Sequence, residues 1–238
     1  VTTEHPDQVL VYLTRDGQIV DPSMRTDACV VLNDANGWSY IWRNLDPSAE
    51  WSLVEANVPG YTAEVGALVE GAAPEYLALD PNDPESKFYI RTLTNTEDST
   101  RKTGNLTVGK TVYAEDNAGT YSFRVEVANA GDGRYSYYTS DNNVLQPIYS
   151  YNEAGNLVLD FTLANGKSLT IVGLPEGAAY TVTEATGDYL VYVNGELAAE
   201  GKAQGVITAP AEGTDASVTL AYTNVQKTGL SVEKIWQD

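Results

Sequence analysis

Apolar residues recurring at every second position constrain this chain more than any other feature. Val9, Val11 and Leu13 alternate, as do Trp38, Tyr40 and Trp42, then Trp51 and Leu53. Farther on come Tyr121, Phe123, Val125 and Val127, then Leu157, Leu159, Phe161 and Leu163. Successive side chains of a strand point to opposite faces, so each run reads as a strand with one buried face. Asp16-Gly17, Asn36-Gly37, Asn165-Gly166 and Asn194-Gly195 separate the runs, and such pairs accept the positive φ of tight hairpins. No stretch holds a 3.6-residue period over three turns. The pattern predicts an all-β chain of sandwich domains joined by short loops.

At 238 residues the chain suits two such domains. Residues 96–104 are polar and without an apolar face, which predicts domains at 1–98 and 99–226. An internal repeat agrees with this division. Trp51-Ser52-Leu53-Val54-Glu55 matches Tyr180-Thr181-Val182-Thr183-Glu184, and Thr94-Asn95 matches Thr223-Asn224 at the same spacing. Lys102-Thr103-Gly104 and the strand up to Lys110 are echoed by Lys227-Thr228-Gly229 and the residues up to Lys234, so 227–238 reads as the opening strand of a further module or a donor strand. Residues 67–86, with Pro74, Pro81 and Pro84, predict a long loop. Its Asp80-Pro81-Asn82-Asp83 lacks the spacing and the glycine of a calcium loop and reads as a solvated turn.

Charge and composition remove several function classes. A net charge of −19 argues against nucleic acid or an anionic membrane surface as partner. Cys29 is the single cysteine, so no intramolecular disulfide is possible, and its place in Ala28-Cys29-Val30-Val31-Leu32 predicts a buried structural thiol. His5 is the single histidine, which leaves no Ser-His-Asp or Cys-His set, and no cluster has zinc-ligand spacing. No metal or cofactor is expected.

Three polar residues break the alternation on its apolar side. Leu106, Val108, Lys110 and Val112 share a face, as do Tyr180, Val182 and Glu184, and Val218, Leu220, Tyr222 and Asn224. A lysine, a glutamate and an amide are thus directed into one interior. Burial disfavours charge, and a neutral lysine amine is a nucleophile. A protonated glutamic acid beside it polarises an amide carbonyl and shuttles protons. The alternative is structural: Lys110 snorkels from a strand end, Glu184 pairs with it, and Asn224 caps a turn.

At these residues the chain resembles the Cna protein B-type domains of Gram-positive surface adhesins and pilins. In 99–226 the resemblance rests on Val108-Gly109-Lys110-Thr111-Val112, on Gly173-Leu174-Pro175-Glu176-Gly177-Ala178-Ala179-Tyr180-Thr181-Val182-Thr183-Glu184, and on Tyr222-Thr223-Asn224. In 1–98 it rests on residues 32–40, Val54-Glu55, Val58-Pro59-Gly60-Tyr61 and Asn95. It implies tandem transthyretin- or immunoglobulin-like sandwiches, an extracellular and cell-wall-anchored setting, and neighbouring repeat modules as partners. It also implies an isopeptide bond between Lys110 and Asn224, with Glu184 as the catalytic acid.

The first domain departs from that pattern. Glu55 and Asn95 are in place, yet no lysine precedes Glu55. Asn95 shares parity with Leu93, Arg91 and Tyr89, while Phe88 and Ile90 fall on the other face, so a bulge is needed near 91–94. Leu230, Val232, Lys234 and Trp236 share a face and resemble the opening strand that the domain lacks. Either the fragment is cut from a longer array, or Lys234 reaches Asn95 of a neighbouring molecule under Glu55, giving head-to-tail chains. For function, a structural stalk competes with a ligand-binding adhesin. The latter draws on the aromatic stretch Tyr135-Ser136-Tyr137-Tyr138-Thr139-Ser140, which, if exposed, would grip a host glycan or matrix protein.

Overall fold

The computed structural model describes residues 5–77, 87–114, 117–131, 133–208, 217–227 and 234. In the first half, β1 (Gln8–Arg15) pairs along one edge with β2 (Gln18–Ile19) and β3 (Cys29–Asn33), and along the other with β4 (Trp51–Glu55), all antiparallel. Next come β5 (Tyr61–Val65), β6 (Val69–Glu70), β7 (Tyr89–Ile90) and β8 (Leu93–Glu97), which pair as β5 with β8 and β6 with β7. Val9, Val11, Val30 and Val58 form the buried centre of this first sandwich, with Trp38, Trp42, Leu53, Tyr61 and Leu93 half-buried around it.

The second half holds β9 (Thr103–Tyr113), β10 (Thr120–Ala128), β11 (Ser136–Thr139), β12 (Asn142–Pro147), β13 (Leu157–Ala164), β14 (Ser168–Pro175), β15 (Ala179–Glu184), β16 (Tyr189–Val193), β17 (Glu196–Leu197), β18 (Lys202–Val206) and β19 (Ser217–Gln226). They build a four-stranded sheet, β13-β10-β15-β18, and a seven-stranded sheet, β12-β11-β14-β9-β19-β16-β17. The β9–β19 pair is parallel. Leu106, Val108, Leu169, Ile171 and Leu220 from the larger sheet meet Phe123, Val125, Leu157, Leu163 and Val182 from the smaller one in a single core. The architecture is the predicted all-β tandem sandwich.

Several local expectations change. Asp16-Gly17 and Asn194-Gly195 take positive φ at hairpin turns as predicted. Asn36-Gly37 instead closes a one-turn 3-10 helix, Asp34–Asn36, with Gly37 left-handed at φ 62°. Trp38, Tyr40 and Trp42 do not form a strand. Trp38 itself has φ 54°, its indole N–H donates to Asp34 Oδ1 (2.6 Å), and that of Trp42 donates to the Asp27 carbonyl (2.7 Å). Alternation makes a strand only where a ladder partner exists, and this segment pairs with none among the described residues. The polar stretch at 96–104 is strand up to Glu97 and again from Thr103, leaving only a short turn between. The expected long loop at 67–86 contains β6 and a 3-10 turn, Glu75–Leu77; Asp80, Pro81, Asn82 and Asp83 lie outside the described residues.

β1 is buried on both faces. Val9 and Val11 fill the first sandwich, while Leu10 and Tyr12 point the other way, with Ala56, against Leu145 and Tyr149 of the second half. The fully buried Tyr12 hydroxyl donates to the Tyr135 carbonyl (2.9 Å) and accepts from the Ile148 amide (3.1 Å), and its ring meets Tyr149 edge-on. Cys29, half-buried rather than buried, packs on this joint, and burial pushes its thiol up to about 12. Tyr12→Ala is expected to destabilise the first sandwich by roughly 3–5 kcal/mol. Tyr12→Phe keeps the ring and is expected to cost about 1 kcal/mol. Urea denaturation of both variants checks the order; equal losses would assign the joint to its hydrogen bonds instead of its ring.

Candidate functional site

Lys110, Glu184 and Asn224 converge. β9 and β19 run parallel with Tyr222 opposite Lys110 and Asn224 opposite Val112, so the lysine and the amide project from neighbouring strands of the larger sheet. Glu184 reaches them from β15 in the facing sheet, where it lies opposite Phe123. Lys110 Nζ donates to Glu184 Oε1 (2.7 Å) and Oε2 (2.9 Å), and Asn224 Nδ2 donates to the same Oε1 (2.6 Å). The Lys110 and Glu184 side chains are both 0% exposed. Asn224 is equally buried, and its Oδ1 has no hydrogen-bond partner.

The walls are aromatic. Lys110 Nζ lies 4.6 Å from the Tyr121 ring centroid and 5.9 Å from that of Phe123. Phe123 stacks on Phe161 and meets Tyr222 edge-on, and the Tyr222 hydroxyl is turned away to the Val182 carbonyl (2.8 Å). Burial in this apolar shell pulls the Lys110 ammonium below its ordinary range, and contact with Glu184 restores only part of the difference. Burial likewise raises the Tyr222 phenol, with the Glu184 charge adding to it. Sequence reading missed this shell. Tyr121 and Phe123 were legible as core residues, but alternation does not tell which polar group a core ring faces.

Gly201 was missed as well. Its φ is +65°, and a Cβ there would collide with the Glu184 carbonyl oxygen and lie 2.8 Å from Thr186 Cγ2. A side chain at 201 would push on the strand end that carries the carboxylate. No motif marks it.

The first sandwich holds two members of the same set. Asn95 Nδ2 donates to Glu55 Oε1 (2.9 Å); Glu55 is buried and Asn95 exposed. The expected bulge is absent. The chain breaks between β7 and β8, where the Arg91 guanidinium bonds the carbonyls of Gly66 (3.0 Å) and Trp51 (3.1 Å). Phe88 and Ile90 therefore belong to a separate hairpin region, and Asn95 is in phase with the half-buried Leu93. Lys87 is the lysine between Glu55 and Asn95, and it pairs with Glu70 (3.4 Å). Lys234 is exposed, and the residues flanking it lie outside the described residues.

The aromatic stretch at 135–140 is mostly inside. Tyr135 is buried with its hydroxyl on the Ala130 carbonyl, Tyr137 packs on the core, and Tyr138 is half-buried. Among the described residues no group of three or more His, Cys, Asp or Glu side chains is placed to hold a metal ion.

Residues 104–225, just over half of the chain, match the family described as domain of unknown function DUF7601. The chain belongs to that family. Residues 1–73 match the Cna protein B-type domain, so the resemblance read from the sequence is carried there by the first sandwich. A pilus tip adhesin, Cpa, of Streptococcus pyogenes is 33% identical over 146 residues, which is 55% of this chain and 18% of the adhesin. This chain therefore spans under a fifth of that relative. A solved structure of the pilus-presented adhesin Cpa is 28% identical, covering 50% of this chain and 27% of that one, with a TM-score of 0.36. A major pilin from Streptococcus pyogenes is 14% identical, covering 91% and 90%, with a TM-score of 0.34.

Glu55 generates a pH dependence. Burial holds its carboxyl above the ordinary 4.5, with Asn95 and Arg101 acting the other way. The folded state therefore binds this proton more tightly than the unfolded chain does. The stabilisation is complete below about pH 4.5 and is lost as pH rises through the raised value. Glu55→Gln keeps an acceptor for Asn95 and carries no charge. It is expected to flatten the stability profile between pH 4.5 and 7 and to raise neutral-pH stability by on the order of 1 kcal/mol, read from thermal melts of the first sandwich. An unchanged profile would contradict the assignment.

Proposed function

We propose that the chain is a structural module of a bacterial surface or pilus protein whose second domain locks itself with an isopeptide bond between Lys110 and Asn224. In this reading residues 1–98 form one domain, 99–226 form the complete self-locking domain, and 227–238 open a further module or act as a donor strand. The observation that carries the reading is the meeting of Lys110 and Asn224 on one Glu184 carboxylate in a pocket closed to water. The Cna protein B-type match and the adhesin relative support an extracellular, wall-attached setting among other subunits.

The chemistry follows from the pocket. An ammonium and a carboxylate buried together carry two desolvation costs, whereas a proton moved from Lys110 to Glu184 leaves two neutral groups. That one transfer makes both the nucleophile and the acid. With the Asn224 amide turned about its Cβ–Cγ bond, the unpartnered Oδ1 faces Glu184 and accepts its hydrogen. Lys110 Nζ then adds to Asn224 Cγ, and Glu184 stabilises the developing oxyanion. Glu184 next relays a lysine proton to Nδ2. The Nζ–Cγ bond forms, the Cγ–Nδ2 bond breaks, and one ammonia departs. The step is redox-neutral, needs no co-reactant and happens once per chain, so this is self-modification and not turnover.

The bond would act as a mechanical staple. β9 opens the domain and β19 closes it, and the two are parallel neighbours. Tension entering at the start of β9 and leaving at the end of β19 crosses from Lys110 to Asn224 through one amide, so the intervening residues bear no load.

Intact mass tests the proposal. The monomer is expected to weigh one ammonia less than its sequence, and Lys110→Ala, Glu184→Ala and Asn224→Ala are each expected to restore the full mass. Loss of a cross-link closing a loop on the order of a hundred residues should lower stability by about 4.7 kcal/mol. Full calculated mass in the parent chain would reject the lock.

A further inference from the structure

We infer that the two sandwiches move as one rigid body, held by a latch in which Asn57 fills a slot in the second sandwich and Arg101 bolts the linker to Asn57. The latch is separate from the Lys110–Asn224 bond and holds with or without it.

Two sandwiches on one chain ordinarily move relative to each other unless their interface is large and apolar. Here the apolar part is small, with Leu10, Tyr12 and Ala56 at its buried centre and Leu145 and Tyr149 packed on them. Residues 98–102, between β8 and β9, are short and polar, a composition that suits a hinge. They are bonded nearly from end to end instead. The Asp98 amide donates to the Gly60 carbonyl (2.8 Å), and its carboxylate accepts from the Thr62 hydroxyl (3.0 Å). The same carboxylate accepts from the Thr100 amide (3.0 Å) and hydroxyl (2.6 Å), and the Arg101 amide closes the turn on the Asp98 carbonyl (3.2 Å). One residue later the Lys102 carbonyl accepts from the Glu176 amide (3.1 Å). The linker is thus anchored to the first sandwich at Asp98 and to the second at Lys102.

Asn57 joins the two sandwiches directly. Its backbone amide donates to the Arg134 carbonyl (2.7 Å), and its Nδ2 donates to the Gly173 carbonyl (3.4 Å). A residue just past β4 therefore holds two separate segments of the second sandwich. Both segments have glycine where Asn57 lies against them. A Cβ at Gly133 would sit 2.8 Å from Asn57 Nδ2, and one at Gly173 would sit 2.8 Å from the Asn57 carbonyl oxygen. Gly173 has φ +73° and lies where the β14–β9 register shifts between Ile171 and Leu174. A bulge takes residues out of the ladder, and here the Gly173 carbonyl serves Asn57.

Arg101 completes the latch. Its Nη1 donates to the Tyr61 carbonyl (2.5 Å) and its Nη2 to Asn57 Oδ1 (2.6 Å). Asn57 spends its acceptor on the linker and its donor on the second sandwich, so turning the amide over would lose both bonds. The guanidinium charge strengthens the first of them. A chain so built bends as one two-sandwich segment, with no hinge at 98–102.

Nitrogen-15 relaxation of the full chain reads this rigidity. Amides of both sandwiches are expected to report one rotational correlation time, that of a single body of the whole chain's mass. Asn57→Ala and Arg101→Met are each expected to split it into two times that fall towards those of separate sandwiches. The double variant is expected to be no looser than either single one, because both residues act in one connection. Thermal melts of the same samples keep loosening distinct from unfolding. Arg101→Met decides by itself where Asn57→Ala unfolds the first sandwich, since Arg101 lies outside the strands of both. Two correlation times in the parent chain overturn the inference. A single time that persists in Arg101→Met and in the double variant overturns the latch and assigns the rigidity to Tyr12 and its apolar neighbours.

Discussion

Lys110 carries an amine into a core that water does not reach, and the second sandwich is organised around that fact. Glu184 meets both its protons and its charge from the opposite sheet, at 2.7 and 2.9 Å. The Tyr121 and Phe123 rings lie beside the amine, with centroids at 4.6 and 5.9 Å, so its charge has an apolar wall on that side. Removing one partner alone would strand a buried charge, at a cost of about 3–5 kcal/mol. Strand order gives the group its neighbours. Because β19 lies parallel to β9, an amide on the last strand falls within reach of an amine on the first.

The first sandwich holds the carboxyl and the amide of the same set. Glu55 and Asn95 share a hydrogen bond, and with no lysine beside it among the described residues the buried carboxyl is biased towards its protonated form. In the second sandwich β9 pairs with both β14 and β19 and carries Lys110 together with the buried Leu106 and Val108, whereas the tryptophans of 38–42 take loop conformations held by Asp27 and Asp34. One strand thus supplies charge balance, backbone pairing and apolar cover together.

These dependencies explain which features the sequence made legible. Lys110, Glu184 and Asn224 could be assigned to one interior because period-2 alternation is local and each lies within an uninterrupted strand. Trp38, Tyr40 and Trp42 alternate just as cleanly, yet a ladder needs a partner distant in sequence, and local pattern does not reveal whether it exists. β1 was read through Val9, Val11 and Leu13 alone. Leu10 and Tyr12 between them make the run continuously apolar, which is the mark of a strand buried on both faces, and here the second face is the joint between sandwiches. The phase of Asn95 looked wrong only because Phe88 and Ile90 were counted in its strand; the Arg91 contacts that interrupt the chain are tertiary. Gly201 and the rings around Lys110 act through proximity across sheets, which no spacing encodes.

The position of the polar triad also decides what kind of toughness the fold can have. With a single cysteine the chain has no internal disulfide to hold its ends, and hydrogen bonds between strands loaded at their ends yield one after another or in shear. A cross-link between two interior strands would leave the outer strands free to peel. A cross-link between β9 and β19 leaves only the few residues outside 110 and 224 extensible. A Lys110–Asn224 bond would therefore do more for a chain under load than the same bond anywhere deeper in the sequence, because the register puts Asn224 one strand away from Lys110, near the exit of the domain. The proposed chemistry and the mechanics it would serve have the same origin, in the parallel pairing of the first strand with the last.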